Sequence, residues 1–272
     1  MITNDKAGKK VWDKYWSDGD LPTIINPHEP GFRNYSNRLF HDYFSNVVFA
    51  QRQTQGLKIL EVGCARSIWL PYFAKEFGFQ IYGLDYSEIG CEQSRAILSN
   101  AGVKGEIICA DFFEPPKELL NSFDVVISWG VVEHFENTIE CLSAFSMFLK
   151  KDGIIITNIP NLNGLNGALL KNLNKPIFDT HVVLDLDTMI NAHESAGFQV
   201  FSNDYFIPID FSIPNLVGLN PQSPITILKN WLLNNLIRLG KLCWIIDENL
   251  ISLKPGKLLS PYITVAGKKK CD

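Results

Sequence analysis

At 272 residues, 46% hydrophobic and 20% charged, the chain has the make-up of a globular protein that buries a full core in one large domain or two small ones. A net charge of −4 argues against nucleic acid as the main partner, because phosphate binding needs clustered Lys and Arg and the basic run Lys268-Lys269-Lys270 reads as a solvated tail. The polar start, residues 1–10, predicts no signal peptide, no apolar run is long enough to predict a spanning helix, and six cysteines (64, 91, 109, 141, 243 and 271) without a C-x-x-C pair fit a reducing cytoplasm.

In chain order, residues 1–56 hold an aromatic-rich helix over 11–16, a Pro/Gly loop from Pro22 to Gly31 and a helix over 36–53, which together predict an N-terminal helical lid. From Leu57 short apolar runs alternate with amphipathic stretches. Strands are predicted over 57–62, 80–84, 105–109, 123–128 and 153–159, and helices over 68–77, 88–100, 116–120 and 137–150. That alternation implies an α/β, doubly wound parallel sheet with right-handed crossovers. Asn137 with Glu140 has the form of a capping box, and Asp187 is placed to cap a helix that stops at Gly197. Two further strands, 198–207 and 262–267, stand outside the rhythm, separated by an insertion over 208–259. The insertion contains Pro-rich loops and an amphipathic helix over 225–246. Its polar face carries Lys229, Asn230, Asn234, Arg238 and Lys241, with no acid before Asp247. It reads as a cap packed on the sheet or a dimer contact, with peripheral membrane contact as the alternative. The core is assigned to 57–207 and 260–272, in a monomer or homodimer.

The run Leu57-Lys58-Ile59-Leu60-Glu61-Val62-Gly63-Cys64-Ala65-Arg66-Ser67 carries the most functional information. An apolar strand ends on an acid, then turns through Gly63 into a helix. In such sheets ligands bind outside the carboxyl ends of the strands, at a topological switch point. Ala65 and Ile68 stand where G-x-G-x-x-G needs its second and third glycines, so the turn does not fit a dinucleotide. Glu61 suits a ligand with a cationic or hydroxyl-rich part. The second strand ends as Gly83-Leu84-Asp85-Tyr86-Ser87, placing a carboxylate roughly 20 residues after the turn, where a ribose diol is gripped. Asp85 also reads as a helix cap, but Ser87 is better placed for that role. The third strand ends as Cys109-Ala110-Asp111-Phe112-Phe113, where Asp111 also reads as a helix-start acid before Pro115-Pro116. The fourth gives Phe123-Asp124-Val125-Val126-Ile127-Ser128-Trp129-Gly130-Val131-Val132-Glu133-His134-Phe135.

These four motifs, in this order, resemble the class I S-adenosylmethionine-dependent methyltransferases, and the fourth resembles the small-molecule type that includes quinone-biosynthesis O-methyltransferases. The resemblance covers 57–207 and 260–267. It implies a Rossmann-like, mostly parallel seven-stranded sheet with an antiparallel last strand, S-adenosyl-L-methionine as cofactor and S-adenosyl-L-homocysteine as product. By the same resemblance Glu61 and Gly63 hold the amino-acid end of the cofactor, Asp85 the ribose, and Asp111 with Phe112 the adenine. Cys64, Ala65 and Tyr86 flank these positions. Ser128, Trp129 and Gly130 pass along the sulfonium and amino-acid portion, and Tyr15 or Trp16 of the lid touches the ligand.

His134 is the candidate general base, its ordinary pKa being about 6.5; packing or capping is the alternative role. His181, in Asp179-Thr180-His181-Val182-Val183, is the second catalytic candidate, since by the same resemblance it borders the substrate pocket in relatives. Some relatives bind a divalent ion through E-x-x-E-H plus a later histidine. Glu133, His134 and His181 match three of those positions, but Gly130 replaces the first glutamate, so no metal is assigned. Arg33 and Tyr35 are placed to serve an anionic or hydroxylated substrate. The expected reaction is methylation of a small molecule, chiefly at a hydroxyl of a glycan, phenol or secondary metabolite, with N- or C-methylation as the alternative. An NAD-dependent oxidoreductase would need the missing glycines. A non-catalytic cofactor-binding protein would lack an open acceptor pocket.

Overall fold

A strand buried on both faces needs helices on either side of its sheet. β1 (Lys58–Val62) is such a strand, with Ile59, Leu60 and Val62 all within the core. The structure, a computed structural model, describes residues 5–17 and 20–270; residues 1–4 of the polar start and Cys271 lie outside the described residues. α1 (Lys9–Trp16) and α2 (Tyr35–Tyr43) precede β1. After it come α3 (Trp69–Phe77), β2 (Gln80–Asp85), α4 (Glu88–Asn100), β3 (Gly105–Cys109), β4 (Phe123–Trp129), α5 (Thr138–Phe148) and β5 (Leu149–Pro160). α6 (Leu165–Leu173), α7 (Lys175–Phe178) and α8 (Leu186–Ser195) lead to β6 (Phe198–Phe206), α9 (Pro224–Asn249) and β7 (Tyr262–Lys269).

The sheet has seven strands in the order β3-β2-β1-β4-β5-β7-β6. β1 to β5 pair in parallel, whereas β7 runs antiparallel to both β5 and β6. This is the mostly parallel sheet with an antiparallel last strand that the sequence predicts. From β1 the chain moves outward through β2 to β3, then returns to the other side of β1 as β4. The carboxyl ends of β1 and β4 therefore flank the switch point, where a crevice opens.

Side chains alternate across the sheet into two cores. Ile59, Val125, Ile127 and Ile156 meet Phe40 and Phe44 together with Leu70 and Phe73 of α3. On the opposite face Leu60, Val126 and Ile155 meet Leu142, Phe145 and Phe148 of α5 and Met189 of α8. Each fully buried side chain of this size contributes about 1.5–3 kcal/mol, so both faces hold the strand ends at the switch point firmly.

Local differences from the predicted elements have identifiable causes. The predicted helix over 36–53 divides: α2 passes into a π-helical turn, Phe44–Val48, which turns Phe44, Val48 and Phe49 together into the core. This part of the N-terminal segment thus packs with α3, and α1 with the residues just before it lies at the crevice. The predicted helix over 116–120 is a short 3₁₀ turn, Lys117–Leu119, because Pro115 and Pro116 remove the backbone donors before it. Asp185, not Asp187, caps α8, its Oδ1 accepting from the Thr188 amide at 2.9 Å; Asp187 sits in the first turn, where it complements the helix dipole. Ser87 caps α4 by accepting from the Gly90 amide at 3.1 Å, and Asn137 caps α5 by accepting from Glu140 at 3.2 Å. Because Ser87 takes the cap, Asp85 is left for other work.

Tyr35 does not reach the crevice. Its hydroxyl donates to Asp247 at 2.6 Å and its ring stacks on Trp244 at 5.2 Å, which seats α9 against the N-terminal segment. Arg33 likewise stands away from the crevice, beside Arg238 and Lys241 of α9.

Candidate active site

A cavity of about 280 Å³ lies at the switch point, close to the lower end of the usual range for small-molecule sites, about 300–1,000 Å³. Its floor is the β1 turn. Gly63 has φ 76°, and its amide donates to Leu84 O at 2.8 Å. A Cβ there would stand 2.3 Å from Val131 Cγ2, so both the backbone conformation and the space demand glycine. Gly63→Ala is expected to cost about 1–3 kcal/mol of stability and to weaken cofactor binding, read as a lowered Tm and a raised Kd.

Asp85 closes the turn from the neighbouring strand. Its Oδ2 accepts from the Ala65 amide at 3.0 Å and its Oδ1 from the Ser87 amide at 2.8 Å. A carboxylate offers about four lone-pair sites, so Asp85 keeps acceptor capacity beyond these two amides. Burial raises the pKa of Asp85 while these amides lower it. Glu61 is buried in the same wall, its Oε2 accepting from Ser67 Oγ at 2.5 Å. Burial pushes its carboxyl up to about 8 despite that hydrogen bond. Glu61 is therefore protonated at neutral pH, and a cationic ligand beside it draws the proton off. Binding of S-adenosylmethionine at about pH 7 is expected to release close to one proton, measured by calorimetry in buffers of different ionisation enthalpy. Glu61→Gln should abolish the release; a heat independent of buffer in the unaltered protein would count against the assignment.

The walls are aromatic. Trp69 and Trp129 stack at 4.1 Å with planes 5° apart, and Phe112 and Phe135 meet edge to face at 5.2 Å beside Ala110. α1 covers the mouth with Trp12 and Trp16. Four hydrogen bonds tie this N-terminal segment down. Tyr86 Oη donates to Asp5 Oδ2 at 2.5 Å, Ser87 Oγ to Asp13 Oδ1 at 2.7 Å, Gln93 Nε2 to Trp16 O at 2.6 Å, and the Lys6 amide to His134 O at 2.9 Å.

His134 is in the cavity wall. Its Nδ1 lies 2.8 Å from Thr180 O, and since a carbonyl only accepts, Nδ1 carries the proton and Nε2 keeps its lone pair. The ring is held between Trp12, edge to face at 4.9 Å, and His181 at 4.6 Å. Burial lowers the pKa of His134 to about 4, with His181 adding to the effect. Glu133 Oε1 stands 3.9 Å from His134 Nε2, while burial pushes the Glu133 carboxyl up to about 8 and its Oε2 has no partner among the described residues. Burial thus favours the uncharged form of both groups.

Of the residues singled out from the sequence, Glu61, Gly63, Ala65, Asp85, Tyr86, Phe112, Trp129, Gly130 and His134 meet in this one wall. Others lie elsewhere. Asp111 is exposed and closes a local turn by accepting from the Phe113 amide at 2.9 Å, the role of a turn acid. Tyr15 is on the outer side of α1, and Trp16 one position on faces the cavity instead. Cys64 packs in the core against Gly83 and Ser128 is buried within β4, both behind the wall. His181 stands behind His134; its Nδ1 donates to Ile177 O at 2.8 Å. Glu133, His134 and His181 bring one ligand atom each within 4.8 Å of one another. Gly130, where a further carboxylate would complete a cation site, has no side chain to offer. Asp5, Trp12, Trp69 and Phe135 are wall residues that the motifs do not point to. Trp12 and Trp16 share a face at i and i+4, and that spacing was the available signal.

The reversal of strand order at β1, the antiparallel β7 between β5 and β6, and a glycine turn with an acid on each of the first two strands define the class I S-adenosylmethionine-dependent methyltransferases. Residues 35–203, more than half of the chain, match the methyltransferase domain family, and the chain belongs to it. It is 27% identical over 157 residues to the ubiquinone biosynthesis O-methyltransferase of Dinoroseobacter shibae, covering 53% of this chain and 61% of that one. It is 30% identical over 123 residues to the ribosomal protein L11 methyltransferase of Thermosipho africanus, covering 44% and 43%. The chain thus aligns with less than two thirds of the length of these relatives. The fold is shared with a methyltransferase of Archaeoglobus fulgidus (TM-score 0.52, 22% identity, 88% of this chain and 95% of that one). It is shared too with the geranyl diphosphate C-methyltransferase of Streptomyces coelicolor A3(2), solved with Mg²⁺, geranyl diphosphate and S-adenosyl-L-homocysteine (TM-score 0.56, 11% identity, 96% and 98%). S-adenosylmethionine is the cofactor of the class. The donor set fits it: two buried acids for an ammonium and a diol, a glycine turn that admits close approach, and an aromatic slot for a purine.

Proposed function

We propose that this protein transfers a methyl group from S-adenosylmethionine to a hydroxyl of a small molecule with a flat or apolar body, such as a phenol. The observation that carries this reading is His134, a buried imidazole of the cavity lining whose Nδ1 is committed to Thr180 O, which leaves Nε2 as its basic atom. The aromatic lining of Trp12, Trp69 and Trp129 supports a flat acceptor, and the similarity to ubiquinone biosynthesis O-methyltransferases supports a hydroxyl.

The cofactor supplies a methyl group already activated by a positively charged sulfur, so the protein contributes alignment and proton removal. Asp85 would hold the ribose hydroxyls with its remaining acceptor capacity, and Glu61 would receive the ammonium end. Ala110, Phe112 and Phe135 form the apolar slot for the adenine. Trp69 and Trp129 exclude water from the other end of the cavity. Nε2 of His134 would accept the hydroxyl proton while the oxygen bonds to the methyl carbon and the carbon–sulfur bond breaks to leave S-adenosyl-L-homocysteine, with Thr180 O holding the ring in the competent tautomer.

The test is incubation with methyl-labelled S-adenosylmethionine and panels of phenols, sugars, amines and activated carbon acids, followed by mass spectrometry. Label on the oxygen of a phenol or related hydroxyl is the expected result. Label on nitrogen or carbon would replace this reading with N- or C-methylation, and bound cofactor without transfer to any panel would favour a non-catalytic role.

A further inference from the structure

α9 is apolar on two opposite sides. Leu233, Gly240 and Trp244 form the inner stripe that packs on the protein. Directly across the helix, Leu228, Trp231, Leu239 and Leu242 are each more than half exposed, Trp231 at 63%. Beyond the helix Leu250, Ile251 and Leu258 are exposed as well. So many large apolar side chains on one outward helix face mark a surface that meets something other than water. The cations sit beside it. Arg238 and Lys241 of α9 and Arg33 from the turn Phe32–Asn34 surround a concavity whose apolar part is Phe32, Leu242 and Ile245. Arg33 and Arg238 form no ion pair among the described residues. Asp210, which accepts from the Ser212 amide at 2.8 Å, partly balances Lys241, while Asp247 accepts from Tyr35 and Glu248 pairs with Arg38.

We propose that this face docks on a bilayer surface carrying anionic phospholipid, with the apolar row in the acyl boundary and Arg33, Arg238 and Lys241 on headgroup phosphates. The inference is independent of the methyl acceptor assigned above. Charge decides between a bilayer and a second copy of the chain. In a symmetric contact the same patch meets itself, which sets the cationic rims against one another, whereas an anionic surface neutralises them. No helix among the described residues is long and apolar enough to cross a membrane, so α9 lies in the surface plane.

The experiment is flotation of the full chain with vesicles of phosphatidylcholine alone or with added phosphatidylglycerol, at low and high salt. Association with the anionic vesicles that high salt reverses is expected, with little on phosphatidylcholine alone. Arg238→Glu with Lys241→Glu should weaken it about fivefold or more for each charge lost, and Trp231→Glu with Leu242→Glu should abolish it. The Tm and cofactor Kd of these variants, whose sites lie away from the cavity, establish that they are folded. Equal binding to both vesicle types, or none to either, would overturn the proposal. So would a dimer in solution that Trp231→Glu converts to monomer.

Discussion

His134→Ala is expected to lower kcat by about 10²–10⁴-fold, the usual worth of a general base, while leaving the Kd for S-adenosylmethionine nearly unchanged. The alanine also leaves space beside Trp12, so His134→Gln, which keeps a polar side chain of similar size without a base, should lose kcat to a comparable degree. The pH profile gives a second reading. Burial favours the neutral ring and lowers its pKa to about 4. The basic form therefore persists to lower pH than in an ordinary histidine, and kcat should stay level as pH falls from about 8 to about 5. An unperturbed imidazole would lose half its activity near pH 6.5. Full turnover in His134→Ala would remove it from the mechanism, and a midpoint near 6.5 that His134→Gln abolishes would show that burial does not hold the ring neutral.

Asp85→Ala is expected to raise the cofactor Kd about 100-fold or more. The carboxylate receives the amides of Ala65 and Ser87 and so joins the β1 turn to the start of α4. Hydrogen bonds to a buried charged group are worth about 1.5–3 kcal/mol each, and the ribose contacts are lost with them. Asp85→Asn keeps the shape and one acceptor, and should fall between the two. Calorimetric titration measures the affinities, and thermal unfolding separates loss of the site from loss of the fold. A Kd unchanged in a folded Asp85→Ala protein would place the ribose elsewhere.

Much of the sheet was readable from the sequence because its signals are local. The run Ile59-Leu60 into Glu61, the glycine turn and Asp85 each lie within a few residues of a strand end, and strand ends are what the fold brings together. Asn137 and Ser87 were readable as caps for the same reason. The wall of the cavity opposite those strands was not. Whether Tyr15 or Trp12 faces the ligand depends on the rotation of α1 about its axis, which the bonds of Asp5 and Asp13 to Tyr86 and Ser87 set from more than 70 residues away. Trp69 enters the site by stacking on Trp129, a partner sixty positions along the chain. Asp111 sits where its motif puts it, but the chain turns beyond β3 so that its carboxylate caps its own loop. The two-sided character of α9 was hidden as well. A helix apolar on opposite faces gives only a weak amphipathic pattern, and which face is inward is settled by Tyr35 and Trp244.

The bonds that fasten the N-terminal segment tie two sides of the cavity to one strap. Asp5 and Asp13 accept from Tyr86 and Ser87, directly after β2, and the Lys6 amide donates to the carbonyl of His134. Release of that one segment, which carries Trp12 and Trp16, would therefore loosen both sides of the cavity together.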